Sequence, residues 1–168
     1  MKCPDFAPAD FETTLSERLI GKVAIMGIGN TLRGDDGFGV CLVKALEALQ
    51  PLPGLGLFVC ETTPENFVGP VTDFGPDTIL MIDAAELGGE PGSVNLIGID
   101  DVADSGMTTH NLSLGLLGKL LESATSATVV LLAVQPKRRS FGSDLSGEVL
   151  ETLYYLTGAF GRVLQEER

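Results

Sequence analysis

Three side chains of this 168-residue chain have the types needed for metal or proton chemistry: Asp36, Asp83 and His110. Asp36 sits beside Asp35 in the glycine-rich segment Gly27-Ile-Gly-Asn-Thr-Leu-Arg-Gly-Asp-Asp-Gly-Phe-Gly39. Glycine lets a backbone turn tightly and approach another group closely. Paired acids in such a turn suit a cation or a reacting peptide and repel a phosphate. Asp83 follows the apolar run Thr78-Ile-Leu-Met-Ile82. A charge there is costly unless it is paired, ligated or hydrogen-bonded by the next loop. His110, the single histidine, lies in Met107-Thr-Thr-His-Asn111 just before a leucine-rich segment, with Thr108 or Thr109 as the expected helix cap. A helix N-terminus disfavours the imidazolium and leaves a neutral imidazole able to act as a ligand.

Two carboxylates and one imidazole on separate loops form a candidate open divalent site, and nickel, zinc, iron and manganese all suit those donors. Asp36 is read as the metal-contacting acid and Asp35 as a cap of the helix that follows. The spacing among Asp36, Asp83 and His110 carries no motif weight, so only the fold can unite them.

The rival reading of the glycine loop is a Rossmann-like nucleotide site. Gly27-x-Gly29-x-x-Leu32 lacks the third glycine of a dinucleotide fingerprint, and the loop lacks the Lys-Ser/Thr ending of a P-loop. There is no GxSxG elbow, and His110 is the sole histidine base for a Ser or Cys triad. Cys60 is read as a buried thiol and Glu86 as solvated. Gln135-Pro-Lys-Arg-Arg-Ser-Phe-Gly142 is the one dense basic cluster. Its Lys137–Arg139 stretch reads either as a solvated loop or as a contact for an acidic peptide or C-terminal carboxylate.

These residues must be positioned by alternating elements. Val23–Ile28, Leu57–Cys60, Thr78–Ile82 and Thr128–Val134 read as strands, and Ser93–Ile97 as a further strand at an antiparallel edge. Phe38, Leu42, Ala45, Leu46 and Leu49 share one helical face. Pro64–Phe74 reads as a short helix. Leu112, Leu116, Leu117, Leu120 and Leu121 mark another, and Val149 to Leu164 a long final helix with Ser146 as N-cap. This order predicts an α/β fold with a mainly parallel sheet covered by helices on both faces. Sites in such sheets lie beyond the C-terminal strand ends. Residues 1–21 read as an N-terminal arm, with a short helix, and 22–168 as one domain.

The length suits one domain with a real core. A net charge of -12 argues against nucleic acid and anionic membranes as partners. No apolar run approaches a membrane span. Asp5, Asp10, Glu12 and Glu17 interrupt the first twenty residues, so no secretory signal is read there. Cys3, Cys41 and Cys60 lack CxxC spacing and read as reduced cytoplasmic thiols, two of them buried. Nothing in the patterning demands an interface, so a monomer is expected.

Taken together, the Gly27–Gly39 segment, Pro64-Glu-Asn66, Ile82-Asp-Ala84 with Pro91-Gly92, Met107-Thr-Thr-His-Asn111 and Gln135-Pro136 resemble the nickel–iron hydrogenase maturation endopeptidases. The branch that processes formate hydrogenlyase-type large subunits is most similar. The likeness spans about residues 22 to 165. It implies a three-layer αβα sandwich and a metal-directed, aspartic-type endopeptidase. That enzyme would remove the C-terminal extension of a hydrogenase large-subunit precursor once nickel is in place. Asp36, Asp83 and His110 fall where the family contacts metal, with nickel the expected ion, supplied by the substrate. Many members have Glu at the place of Asp36, so the carboxylate here is drawn in by one methylene. A non-catalytic metal- or precursor-binding chaperone on the same fold is the alternative.

Overall fold

The computed structural model describes residues 8–102 and 109–166. Strands β1 (Val23–Ile28), β2 (Leu55–Glu61), β3 (Thr78–Ala84), β4 (Val94–Gly98) and β5 (Thr128–Val134) form one sheet in the order β2-β1-β3-β5-β4. The first three junctions are parallel, and β4 runs antiparallel to β5 at the edge. This is the mainly parallel sheet with an antiparallel edge expected from the sequence.

Side chains on a strand alternate between faces, and the central strands bury both. Val23, Ile25, Leu80, Ile82, Val130 and Leu132 pack on one face. They meet α1 (Pro8–Arg18), α2 (Phe38–Leu46) and α5 (Gly147–Glu166), whose Leu15, Phe38, Leu42, Leu156 and Phe160 complete that layer. Ala24, Met26, Ile79, Met81, Val129 and Leu131 pack on the other. There α3 (Val68–Phe74) and α4 (Thr109–Thr125) supply Val71, Leu114, Leu117 and Leu121. The result is a three-layer αβα sandwich. The two apolar layers explain why β1, β3 and β5 read as nearly unbroken hydrophobic runs.

Several element bounds differ from the sequence reading. β3 extends through Ala84, so Asp83 is a strand residue and not the first loop residue. β2 begins at Leu55 and ends at Glu61. The Pro64–Phe74 helix is a 3₁₀ turn, Pro64–Phe67, followed by α3. In the segment read as an arm, Phe11, Leu15 and Leu19 are buried in the core. α1 is tied to α5 by a tilted Phe11–Tyr155 ring contact, centroids 6.1 Å apart, and by a two-pronged Arg162–Glu12 ion pair at 2.6 and 3.1 Å.

The chain leaves β1 through α2 on one face to reach β2, then crosses back through α3 on the other face to β3. Strand order therefore reverses at β1 and β3. In open α/β sheets the crevice beyond such a reversal is where ligands bind.

Candidate active site

Asp36 and Asp83 both line that crevice. Asp36 lies in a 3₁₀ turn, Gly34–Gly37, between β1 and α2, and Asp83 is the penultimate residue of β3. Two glycines make the approach of these segments feasible. Gly39, in the first turn of α2, packs so closely that a Cβ there would collide with the carbonyl oxygens of Ile82 and Ile28. Gly29 has φ +132°, and a Cβ on it would overlap the Asp36 carbonyl oxygen and come within 3.6 Å of Asp83 Oδ1. Any side chain at Gly29 would displace the turn that carries Asp36.

The environments of the two carboxylates differ. Asp36 is half-buried. Its Oδ2 accepts the Asn30 N–H at 3.2 Å, and its Oδ1 lies 3.7 Å from Arg139 Nε. Asp83 is 2 % exposed. Its Oδ1 accepts the Ala84 N–H at 2.8 Å, while its buried Oδ2 has no hydrogen-bond partner. Burial pushes the Asp83 carboxyl well above the usual carboxylate range, and the Asp36 charge pushes it further. The Ala84 N–H and Arg139 pull it back only in part. A buried carboxylate oxygen with no donor is rare and calls for an explanation. A proton on Oδ2, or a cation bound beside it, would supply one.

A cleft of ≈ 340 Å³ opens over the pair. Glu61, Thr62, Pro64 and Glu65 wall it from the β2–α3 connection, and Ser113, Leu114 and Leu117 wall it from α4. Glu61 adopts φ +51°, a left-handed conformation unusual for a side-chain-bearing residue, and its carbonyl accepts the Gly29 N–H at 2.9 Å. Sequence reasoning missed Glu61 and its part in the acidic cleft; no periodicity or motif marks it.

His110 is the second residue of α4, and its side chain lies outside the described residues, as does the expected threonine cap. Its backbone position falls on the same helical row as Leu114 and Leu117, both of which line the cleft. Among the described residues no trio of His, Cys, Asp or Glu forms a metal cluster. The Asp36–Asp83 pair with its orphaned oxygen fits a hard or borderline divalent ion.

Asp35 does not cap α2, contrary to the sequence reading. The N-cap of α2 is Gly37, with no side-chain cap bond. Asp35 is fully buried and turns toward the loop after β5 instead. It accepts the N–H groups of Lys137 (2.8 Å), Arg138 (2.9 Å) and Ser146 (2.6 Å), and the Ser146 hydroxyl at 2.9 Å. Burial alone would raise its carboxyl, but these four donors outweigh it and hold Asp35 below its ordinary value. Ser146 does precede α5, but it spends its hydroxyl on Asp35.

The basic loop divides accordingly. Lys137 is exposed and pairs with Glu148 at 2.5 Å. Arg138 is exposed. Arg139 folds inward, its Nη2 donating to the Ala84 carbonyl at 3.0 Å and its Nε approaching Asp36. Gln135 is buried and staples the loop after β3, its Oε1 accepting the Leu87 N–H at 2.6 Å and its Nε2 donating to Glu86 at 2.9 Å. Glu86, read as solvated, is exposed but holds that bond. Cys60 is buried as expected, and burial pushes its thiol up to about 12. Cys41 is half-buried, and Cys3 lies outside the described residues.

Residues 40–159 match the HycI family model, described as hydrogenase maturation protease. The chain belongs to the hydrogenase maturation protease family. It is 29 % identical over 154 residues to the hydrogenase 3 maturation protease of Escherichia coli K12, covering 85 % of this chain and 97 % of that one. The crystal structure of a NiFe hydrogenase maturation protease HycI from Thermococcus kodakarensis KOD1 superposes with a TM-score of 0.84 at 28 % identity, covering 90 % of this chain and 99 % of that one. A crystal structure of a hydrogenase 3 maturation protease gives a TM-score of 0.71 at 27 % identity over 82 % of this chain and 88 % of that one. Family membership makes the protein a peptidase.

Proposed function

We propose that this protease removes the C-terminal extension of a NiFe hydrogenase large-subunit precursor, acting only after nickel has been inserted. The observation that carries the reading is the unpartnered, buried Oδ2 of Asp83 beside Asp36 in the acidic cleft. Such a pair is complete only when a cation or proton arrives. Asp36, Asp83 and His110 would complete the coordination of nickel brought by the precursor. A divalent ion bound there supplies docking and Lewis-acid polarisation of the scissile carbonyl.

The protein's own residues do the rest. Asp36, at the cleft and half-buried, takes the proton of the attacking water, an aspartic-type role. Asp35, its carboxylate occupied by four donors, takes no part in that step. Gly29 and Gly39 hold the two strand ends together, and Glu61 and Glu65 add negative charge to the cleft mouth. Requiring the substrate's metal would keep a tail-cutting protease from attacking exposed tails at large. Among the described residues no helix is long and apolar enough to cross a membrane. The free thiols of Cys41 and Cys60 support a cytoplasmic site of action.

The test is incubation of the full chain with nickel-loaded and nickel-free precursor, with the released tail read by mass spectrometry. Tail release from the loaded form alone is expected. Asp36→Asn and His110→Ala should each slow it by at least about a hundredfold, the scale of a lost acid–base or metal-contacting group. Normal rates in both variants would overturn the proposal. Precursor binding without tail release would instead assign a non-catalytic maturation chaperone.

A further inference from the structure

Arg139 places a permanent positive charge beside the acid pair, and three features hold it there. Its Nη2 donates to the Ala84 carbonyl at 3.0 Å, at the end of the strand that carries Asp83. Its Nε, buried and without a hydrogen-bond acceptor, lies 3.7 Å from Asp36 Oδ1. Its backbone is anchored from the other side of the crevice. Arg33 Nε donates to the Arg139 carbonyl at 3.4 Å, and Asp35 grips the two preceding residues through their amides. A guanidinium does not lose its proton in a protein, so this charge is constant across the working pH range.

A divalent ion entering between Asp36 and Asp83 meets that charge. Yet the guanidinium does not satisfy the pair, since Asp83 Oδ2 stays unpartnered. The guanidinium thus offsets part of the pair's charge and leaves Asp83 Oδ2 open to a cation. We infer that Arg139 is a specificity-determining residue that bars free divalent cations from the Asp36–Asp83 pair, so that only a metal carried in by a docked substrate engages it. Docking of the substrate body supplies the binding energy that a lone ion lacks. This rests on the proposed function for its biological meaning, but it concerns a property of the free protein.

The free protein therefore provides the test. The full chain is titrated calorimetrically with NiCl2 and with ZnCl2 at fixed ionic strength. Arg139→Gln removes the charge and should bind the ion at least about tenfold more tightly than the parent, as expected for a cation a few ångströms away at the protein surface. Arg139→Lys, which keeps the charge, should bind like the parent. Adding Asp36→Asn to Arg139→Gln should abolish the gain. A strut that merely props the Ala84 carbonyl would give weaker or unchanged binding when cut, so tighter binding separates the two roles. Equal or weaker binding by Arg139→Gln, or a gain that survives Asp36→Asn, overturns the inference. Arg139→Met serves the same test if the Gln variant does not fold. Absence of tail release by the parent protein would defeat the proposed function and leave this titration standing, whereas unchanged cation affinity would defeat only the role of Arg139.

Discussion

Ser146 gives both its backbone N–H and its hydroxyl to Asp35, at 2.6 and 2.9 Å. The two residues are far apart in sequence, and their bond laces the turn after β1 to the start of α5. The Gly34 N–H donates to the Ser143 carbonyl and the Asp35 N–H to the Arg138 carbonyl, each at 3.0 Å, so the lacing runs both ways. One rim of the crevice is in effect a single stitched unit, with Arg139 held inside it.

Asp35→Asn should therefore destabilise the protein by about 1–3 kcal/mol at neutral pH, because an amide –NH2 would face donors that need an acceptor. The sign of the pH dependence follows from the lowered carboxyl of Asp35. Its stabilisation is fully present above the unfolded-state pKa of about 4 and is lost as pH falls through the lower native value. Urea unfolding at pH 7 and at about pH 3 should show the gap between parent and variant closing in acid.

Asp83→Asn should act in the opposite direction. A buried carboxyl whose native pKa is raised costs stability as pH climbs above its unfolded value of about 4, and the cost stops growing above the native pKa. The neutral amide escapes that cost. The variant should be more stable than the parent at pH 7 by about 1 kcal/mol or more, the difference shrinking toward pH 4, while tail release is lost. Thermal unfolding across that range, paired with the cleavage assay, checks both halves.

Gly29→Ala combines an unfavourable φ of +132° with overlap on the Asp36 carbonyl oxygen. A loss of about 2–4 kcal/mol is expected, more than a simple glycine-to-alanine change costs where the backbone conformation suits both. The measurement is urea unfolding. A variant as stable as the parent would show that the Asp36 turn is not packed against Gly29 as tightly as described.

Leu15→Ala tests whether α1 is part of the core. Leu15 is 0 % exposed and packs in the layer with α5. Truncation should cost about 2–5 kcal/mol, the range for emptying a buried leucine site. A change under about 0.5 kcal/mol, typical of a surface position, would make residues 8–18 a dispensable arm.

Much of this arrangement was legible in the chain. The apolar runs Val23–Ile28, Thr78–Ile82 and Thr128–Val134 are strands because a strand buried on both faces has no polar side to show. The antiparallel edge is where Ser93–Ile97 suggested it, since β4 is short and half-buried. Asp36 and Asp83 were recognisable as an acid pair because each ends a βα or strand segment that must reach one edge of a parallel sheet. The extra residues at the end of β3 were not legible, because Asp83 breaks the apolar pattern while its backbone continues the ladder with Ala133.

The adjacent acids Asp35 and Asp36 mark the boundary between the two kinds of knowledge. Composition and local pattern determined that a glycine-rich turn with two carboxylates follows β1, that the turn is ill-suited to phosphate, and that a parallel sheet would carry it to a crevice. Which acid faces the crevice was decided only by tertiary structure. Successive side chains in a 3₁₀ turn point about 120° apart, so one of them meets the loop after β5 and the other the end of β3. The partners that settle the matter, Ser146 and Arg139, lie more than a hundred residues downstream of the turn. No local periodicity encodes a contact made only when the chain has crossed the sheet and come back.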